Sequence, residues 1–150
     1  MRYSVFVLLA LCSLGSIAQG QKKDPVKKDA DLIQGVWRGV SSISDGQETP
    51  KAELDVMRLI VKDDRWNYAI GDGPPIFNPA PKFVLNFDAK LKTIDVVSTK
   101  QKGQSLLRGI YEIEGDTMKV CFAVGNAERP KEFTGTAGSK SGITVYKRGK

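Results

Sequence analysis

An all-β, antiparallel domain is the fold class this sequence predicts, and three observations carry the prediction. Period-two alternation of apolar and polar residues recurs in eight short stretches. Turn residues separate them about every ten positions. Helical periodicity nowhere exceeds two turns. Eight short strands joined mostly by tight turns form either a sandwich or an up-and-down barrel, and only the barrel leaves no exposed edge.

The chain opens on an address. Arg2 supplies a positive start, residues 5–14 an apolar core, and Ser16, Ala18 and Gly20 small residues suited to cleavage near Ala18 or Gly20. A transmembrane helix needs about 20 apolar residues, so residues 1–20 are expected to be a signal peptide and the mature chain to have no transmembrane segment. Cys12 has the outline of a lipid-attachment site, but bulky Leu11 precedes it and it lies inside the apolar core. Lipidation there is not expected. Residues 21–30, QKKDPVKKDA, then hold four lysines and two aspartates around a proline. This composition suits a solvated tether. Lys22, Lys23, Lys27 and Lys28 could alternatively give a weak electrostatic contact with anionic envelope lipid or polymer.

The domain proper is expected over residues 31–150. Residues 29–34 offer one short turn, and residues 36–43 alternate so that Trp37 and Ile43 share a face. Residues 54–61 and 65–70 flank Lys62-Asp63-Asp64 and read as two strands of a hairpin. Residues 71–82 carry Pro74, Pro75, Pro79 and Pro81. That loop is no central strand, because proline has no ladder donor. Phe83, Leu85 and Phe87 then point one way, with residues 92–99 as the partner strand. Residues 106–114 and 117–124 make a hairpin about Gly115-Asp116, where glycine supplies the backbone freedom of a tight turn. The last strand covers residues 143–148.

Several ordered motifs bear on which β architecture this is. Gly35-Val36-Trp37 enters the first strand, GIYEIEGD (residues 109–116) leads into Cys121, and Glu128-Arg129-Pro130-Lys131-Glu132-Phe133 precedes Tyr146-Lys147-Arg148. In this set the chain resembles an uncharacterised lipocalin-like family of exported bacterial proteins abundant in planctomycetes. The resemblance covers nearly all of residues 31–150. It departs over residues 52–82, at Val36, where threonine is common, and at Leu91, where proline is. It implies an up-and-down lipocalin-like barrel of about eight strands, in which the Gly-x-Trp tryptophan, Trp37, closes the base under an arginine of the final strand. Arg148 is the candidate and Arg129 the reserve. A guanidinium can stack on an indole while its donors satisfy nearby carbonyls.

Composition narrows the chemistry. The chain has 23 Lys and Arg against 17 Asp and Glu, a formal charge of +6, and no histidine. Without histidine there is no serine triad, no zinc site of the usual kind and no base to activate Cys121. No cofactor, metal or catalytic residue is assigned, and an enzyme is not expected. Cys121, amid Met118, Val120 and Phe122, reads as a small buried residue. Asp63-Asp64 and Glu112/Glu114 are the nearest carboxylate pairs; the second is an ordinary strand-face pattern. Gly71-Asp72-Gly73 lacks the Gly-Lys-Ser/Thr of a phosphate loop. Basic residues such as Lys90, Lys92, Lys100 and Lys102 gather at turns, without the interleaved aromatics of a single-strand platform, so no nucleic-acid partner is expected.

Two functions remain from the sequence. One is a monomeric binding module for a small apolar or amphipathic ligand, with Trp66, Tyr68, Phe77, Phe83, Leu85, Phe87, Tyr111 and Phe122 as candidate interior and mouth residues. The other is a structural or interaction domain of the cell envelope with a filled barrel. Glu128-Arg129-Pro130 has two roles open to it: Arg129 binding an anion at the mouth, or the trio pinning a loop while Phe133 fills the core. The shortness of the connection favours pinning. Gly35, Trp37, Gly115, Asp116, Glu128, Arg129, Pro130 and Arg148 are thus assigned to the scaffold.

Overall fold

The computed structural model of the chain describes residues 25–87, 90–97 and 105–149. The expected signal peptide, Cys12, Lys22, Lys23, Lys100 and Lys102 lie outside the described residues. In order the elements are α1 (Pro25–Leu32), β1 (Gly35–Ser44), β2 (Gln47–Glu48), α2 (Lys51–Val56), β3 (Met57–Lys62), β4 (Arg65–Ile70), β5 (Lys82–Asn86), β6 (Thr93–Val97), β7 (Ser105–Glu114), β8 (Thr117–Ala123) and β9 (Ser141–Arg148). Each strand pairs antiparallel with its neighbour in sequence, except that β3 passes over two-residue β2 to reach β1. β9 returns to β1 along seven registered pairs from Trp37↔Arg148 to Ser44↔Gly142. The result is a closed, eight-stranded, up-and-down lipocalin-like barrel, with β2 as a short spur on β1. Closure pairs both edges that the meander would otherwise expose.

Three local features differ from the sequence expectation. Residues 25–32 form a helix where a tether and then one turn were expected, and Asp29 is buried within the fold. Its Oδ2 accepts from the Tyr111 hydroxyl (2.9 Å) and pairs with Lys92 Nζ (2.8 Å). The ordered unit therefore begins ahead of residue 31, and of the tether's lysines Lys27 and Lys28 fall on the helix. The second difference is α2, which replaces the start of the strand expected at residue 54. Pro50 begins it, and Ala52, Glu53 and Leu54 favour helix. Leu54 is buried against Gly39, where a Cβ would stand 3.0 Å from its Cδ2. Six residues are too few for helical periodicity to stand out from the strand that follows.

The third difference is a bulge. The β1–β9 register passes from Gly39↔Tyr146 to Ser41↔Val145, leaving Val40 unpaired. One extra residue reverses the facing of all that follow. Trp37 stays inside, but Ser42 replaces Ile43 there, and the shared Trp/Ile face is lost. Phe83 and Leu85 do face inward, opposite Val96 and Ile94, whereas Phe87 lies past the end of β5 and is half-buried.

The lower barrel is solid. Trp37, Leu59, Val61, Trp66, Ile94, Val96, Tyr111, Met118 and Val120 are each no more than 2% exposed. Each such side chain contributes about 1.5–3 kcal/mol on leaving water. Trp66 anchors an aromatic cluster, edge-on to Tyr68, Phe83 and Phe122 at 6.0–6.3 Å. Phe122 in turn covers Gly109, where a Cβ would meet its Cδ1 and the Cys121 carbonyl oxygen, both at 2.5 Å. Only glycine fits under that ring. Gly115, at φ +56°, makes the two-residue turn between Glu114 and Thr117.

The base is closed by the expected pair. Arg148 stacks on Trp37 with its guanidinium carbon 4.3 Å from the ring centroid. Its Nη1 and Nη2 donate to Gln34 O and Leu32 O, both at 2.7 Å, and its Nε to Asp116 Oδ1 at 3.2 Å. The Trp37 indole donates to Ile33 O at 2.8 Å. Carbonyls at the end of α1 have no partner within their own helix. Arg148 and Trp37 supply them, which seats α1 under the barrel.

Two segments brace the walls. β4 and β5 share one registered pair, Arg65↔Lys82, and the Pro-rich residues 76–81 run beside β4 as a strap. Ile76 N donates to Tyr68 O, Arg65 Nη1 to Ala80 O, and the Asn67 amide both donates to Phe77 O and accepts from Phe77 N. Asn67 thus acts as a substitute peptide unit where the prolines cannot complete a ladder. The other brace follows β8. Arg129 Nη1 donates to Gly109 O (2.7 Å), and its Nη2 pairs with both carboxylate oxygens of Asp95 (2.8 and 2.9 Å). Phe133 is half-buried on this outer segment and is not among the core residues; Arg129, not the aromatic, secures it.

Candidate functional site

With α1 sealing one end, the other end carries α2, the strap and the Asp45-Gly46 turn. Between them lies a cleft of about 370 Å³. That size is near the lower end of the ~300–1,000 Å³ typical of small-molecule sites. Its apolar side is formed by Leu54 of α2, Met57 of β3, Ile70 of β4 and Ile76 and Phe77 of the strap. Its other side carries hydroxyls: Ser42 of β1, Thr49, Tyr68 of β4, and Thr144 and Tyr146 of β9. No lining residue carries a charged side chain.

The two sides differ in exposure at the rim, although Leu54 on the apolar side is buried. Ile70, Ile76 and Phe77 are 62%, 55% and 46% exposed, with Val56 beside them at 45%. Tyr146, by contrast, is only 3% exposed. The Ser42 and Thr144 hydroxyls are hydrogen-bonded to each other at 3.0 Å. Burial is the main force holding the Tyr68 and Tyr146 phenols above the ordinary tyrosine range, and contact between the two raises Tyr146 further. Both are neutral hydroxyls across the physiological range.

The candidate ligand residues separate on this geometry. Tyr68 and Phe77 line the cleft. Trp66, Phe83 and Tyr111 are buried in the packed core, and Leu85 and Phe122 are half-buried against it. Phe87 lies apart, beyond β5. Ser42, Thr144 and Tyr146 had no prominence along the chain as cleft residues. Ser42 could not have been found by alternation, because the bulge at Val40 turns it inward; Thr144 and Tyr146 lie on one face of the recognised last strand.

Other candidate groups are already engaged. Cys121 faces the outside of β8, buried beneath the outer segment, and donates to Thr134 O at 3.2 Å. Burial pushes its thiol up, away from the reactive thiolate. Glu112 pairs with Lys119 at 3.0 Å. Asp64 is held below its usual range first by its hydrogen bond with Lys82, and it also pairs with Arg65. A larger hollow of about 650 Å³ lies on the outer surface beside Glu128, Arg129 and Pro130. Its arginine is already bonded to Gly109 and Asp95, which leaves little for an anion. Among the described residues no group of three or more Cys, Asp or Glu is placed to hold a metal ion, and no helix is long and apolar enough to cross a membrane.

Fold and cleft together define a lipocalin-like barrel with a solid base and an open, mixed-polarity mouth. No protein-family model, curated protein or solved structure matches the chain.

Proposed function

We propose that this protein is an exported, monomeric, non-enzymatic member of the lipocalin-like family its motifs resemble, and that it binds a small apolar or amphipathic molecule in the mouth cleft. The observation that carries this is the cleft itself: a hollow of about 370 Å³ at the one end of the barrel that α1 does not close, rimmed by exposed Ile70, Ile76 and Phe77. Apolar side chains gathered at a concavity are the usual mark of a ligand mouth. The lysines ahead of the barrel would add a weak contact with an anionic envelope surface.

The test is native mass spectrometry of protein purified without detergent, together with titration by the neutral fluorophore N-phenyl-1-naphthylamine. A co-purifying small-molecule mass, or saturable fluorescence enhancement lost in Ile76→Asp, is the expected result. Absence of both overturns the proposal. That outcome would favour the second reading, an envelope interaction domain with a filled barrel, for which the solid lower core is the supporting observation.

A further inference from the structure

Resting on that binding reading, we infer that the ligand is an uncharged amphiphile that enters polar end first, its hydroxyl or carbonyl group meeting the Ser42, Thr144, Tyr68 and Tyr146 hydroxyls while its apolar chain lies against Ile70, Ile76 and Phe77. The order of the two sides fixes the direction. Ile70, Ile76 and Phe77 form the exposed rim, whereas Tyr146 is buried and the Ser42–Thr144 pair part-buried, with Leu54 the one apolar lining residue as buried as Tyr146. A purely apolar molecule would strip water from these hydroxyls and return no hydrogen bond. Leaving a buried polar group unpaired costs about 1–3 kcal/mol.

The floor can serve either kind of neutral polar group. Each hydroxyl carries one donor and two acceptor positions. The contact between Ser42 and Thr144 uses one of their two protons. Tyr146 and Tyr68 in turn share a hydrogen bond. Acceptor positions thus outnumber protons at the floor, and a rotated hydroxyl can answer either group.

Charge is excluded by the same residues. None of the ten lining side chains is ionised, so a carboxylate or ammonium carried to the floor would meet no counter-ion. Burial of an unpaired ion is far more costly than burial of a neutral hydroxyl. The raised ionisation ranges of Tyr68 and Tyr146 report the same poorly solvated floor.

The test is displacement of N-phenyl-1-naphthylamine from the full mature chain at pH 8 by three probes of one chain length: 1-decanol, decanoate and decyltrimethylammonium. Decanol should compete at least about tenfold more tightly than either ion. Thr144→Val and Tyr146→Phe, both close in shape to the native residues, should each weaken decanol by about three- to tenfold, the equivalent of one neutral hydrogen bond. An unchanged far-ultraviolet circular dichroism spectrum shows that each variant is folded, and fluorophore affinity is measured for each variant separately. Decanoate or the ammonium binding as tightly as decanol overturns the inference, as does decanol affinity unchanged in both variants. So does fluorophore binding with no displacement by decanol, a result that leaves the cleft as a binding site. Failure of the fluorophore itself to bind the native protein sinks both the inference and the reading beneath it.

Discussion

Replacement of Arg148 by alanine is the sharpest test of how the barrel is closed. The side chain makes three separable contributions. Two charge-assisted bonds at 2.7 Å reach Gln34 O and Leu32 O, the guanidinium stacks on Trp37 at 4.3 Å, and Nε reaches Asp116 at 3.2 Å. Hydrogen bonds from a charged donor contribute about 1.5–3 kcal/mol each. A partly desolvated cation over tryptophan adds about 1 kcal/mol. The Asp116 pair adds next to nothing, since that carboxylate is 83% exposed. The arginine side chain is itself 31% exposed, so water can reach part of what alanine vacates. A net loss of about 3 kcal/mol is the working value, the lower end of the hydrogen-bond range. For a domain of this size that is a fall in Tm on the order of 10 °C. Urea unfolding followed by tryptophan fluorescence reads the loss directly, because Trp37 reports its own environment. Arg148→Lys should recover less than half: an ammonium reaches one carbonyl well and cannot stack as a plane. A loss under about 1 kcal/mol for alanine, or full recovery by lysine, would refute the account of the base as an arginine-held latch.

Arg129→Ala should cost about 2–3 kcal/mol, since it removes the charge-assisted bond to Gly109 O and leaves Asp95 unpaired on the wall; unchanged thermal stability would end the pinning role. Gly109→Ala should cost about 1–3 kcal/mol through overpacking beneath Phe122, and Phe122→Leu in the same chain should restore part of it; an additive double variant would contradict that contact. Tyr68, Tyr111 and Tyr146 all stay protonated in the fold above the pH at which free tyrosine ionises. Above about pH 10 the unfolded chain therefore holds fewer protons than the native one, and stability falls by up to about 1.4 kcal/mol per pH unit for each tyrosine. It is fully present below that range. Chemical denaturation at pH 9 to 12 should show the fall, shallower in Tyr146→Phe, and a flat profile would count against the buried phenols.

Most of the wall was legible along the chain. The β7–β8 hairpin, the glycine at its turn, and the β5 and β9 strands all follow from alternation and turn chemistry, both of which act over a few neighbouring residues. The Trp37–Arg148 pairing came from the resemblance and agrees with the contact seen. Helix α2 and the bulge at Val40 were not legible. A six-residue helix carries too little periodicity to separate it from the strand after it, and a bulge leaves no mark on the alternation that it interrupts. Asp29 gave no local sign of its contact with Tyr111, 82 positions away.

The candidate site divides in the same way. Tyr68 and Phe77 were named for being aromatic and are found at the cleft, whereas Trp66, Phe83 and Tyr111 have the same character and fill the core. Composition says what a side chain can pack against. Depth along the barrel axis says whether anything else has already packed there, and that depends on strand register and on what caps each end. The all-β meander, the histidine-free chemistry and the turn residues could be read along the chain, because those are local properties. That the base is solid, that the mouth is open, and that Ser42 rather than Ile43 faces it emerge with the folded barrel, because each depends on the long-range register of β1 against β9.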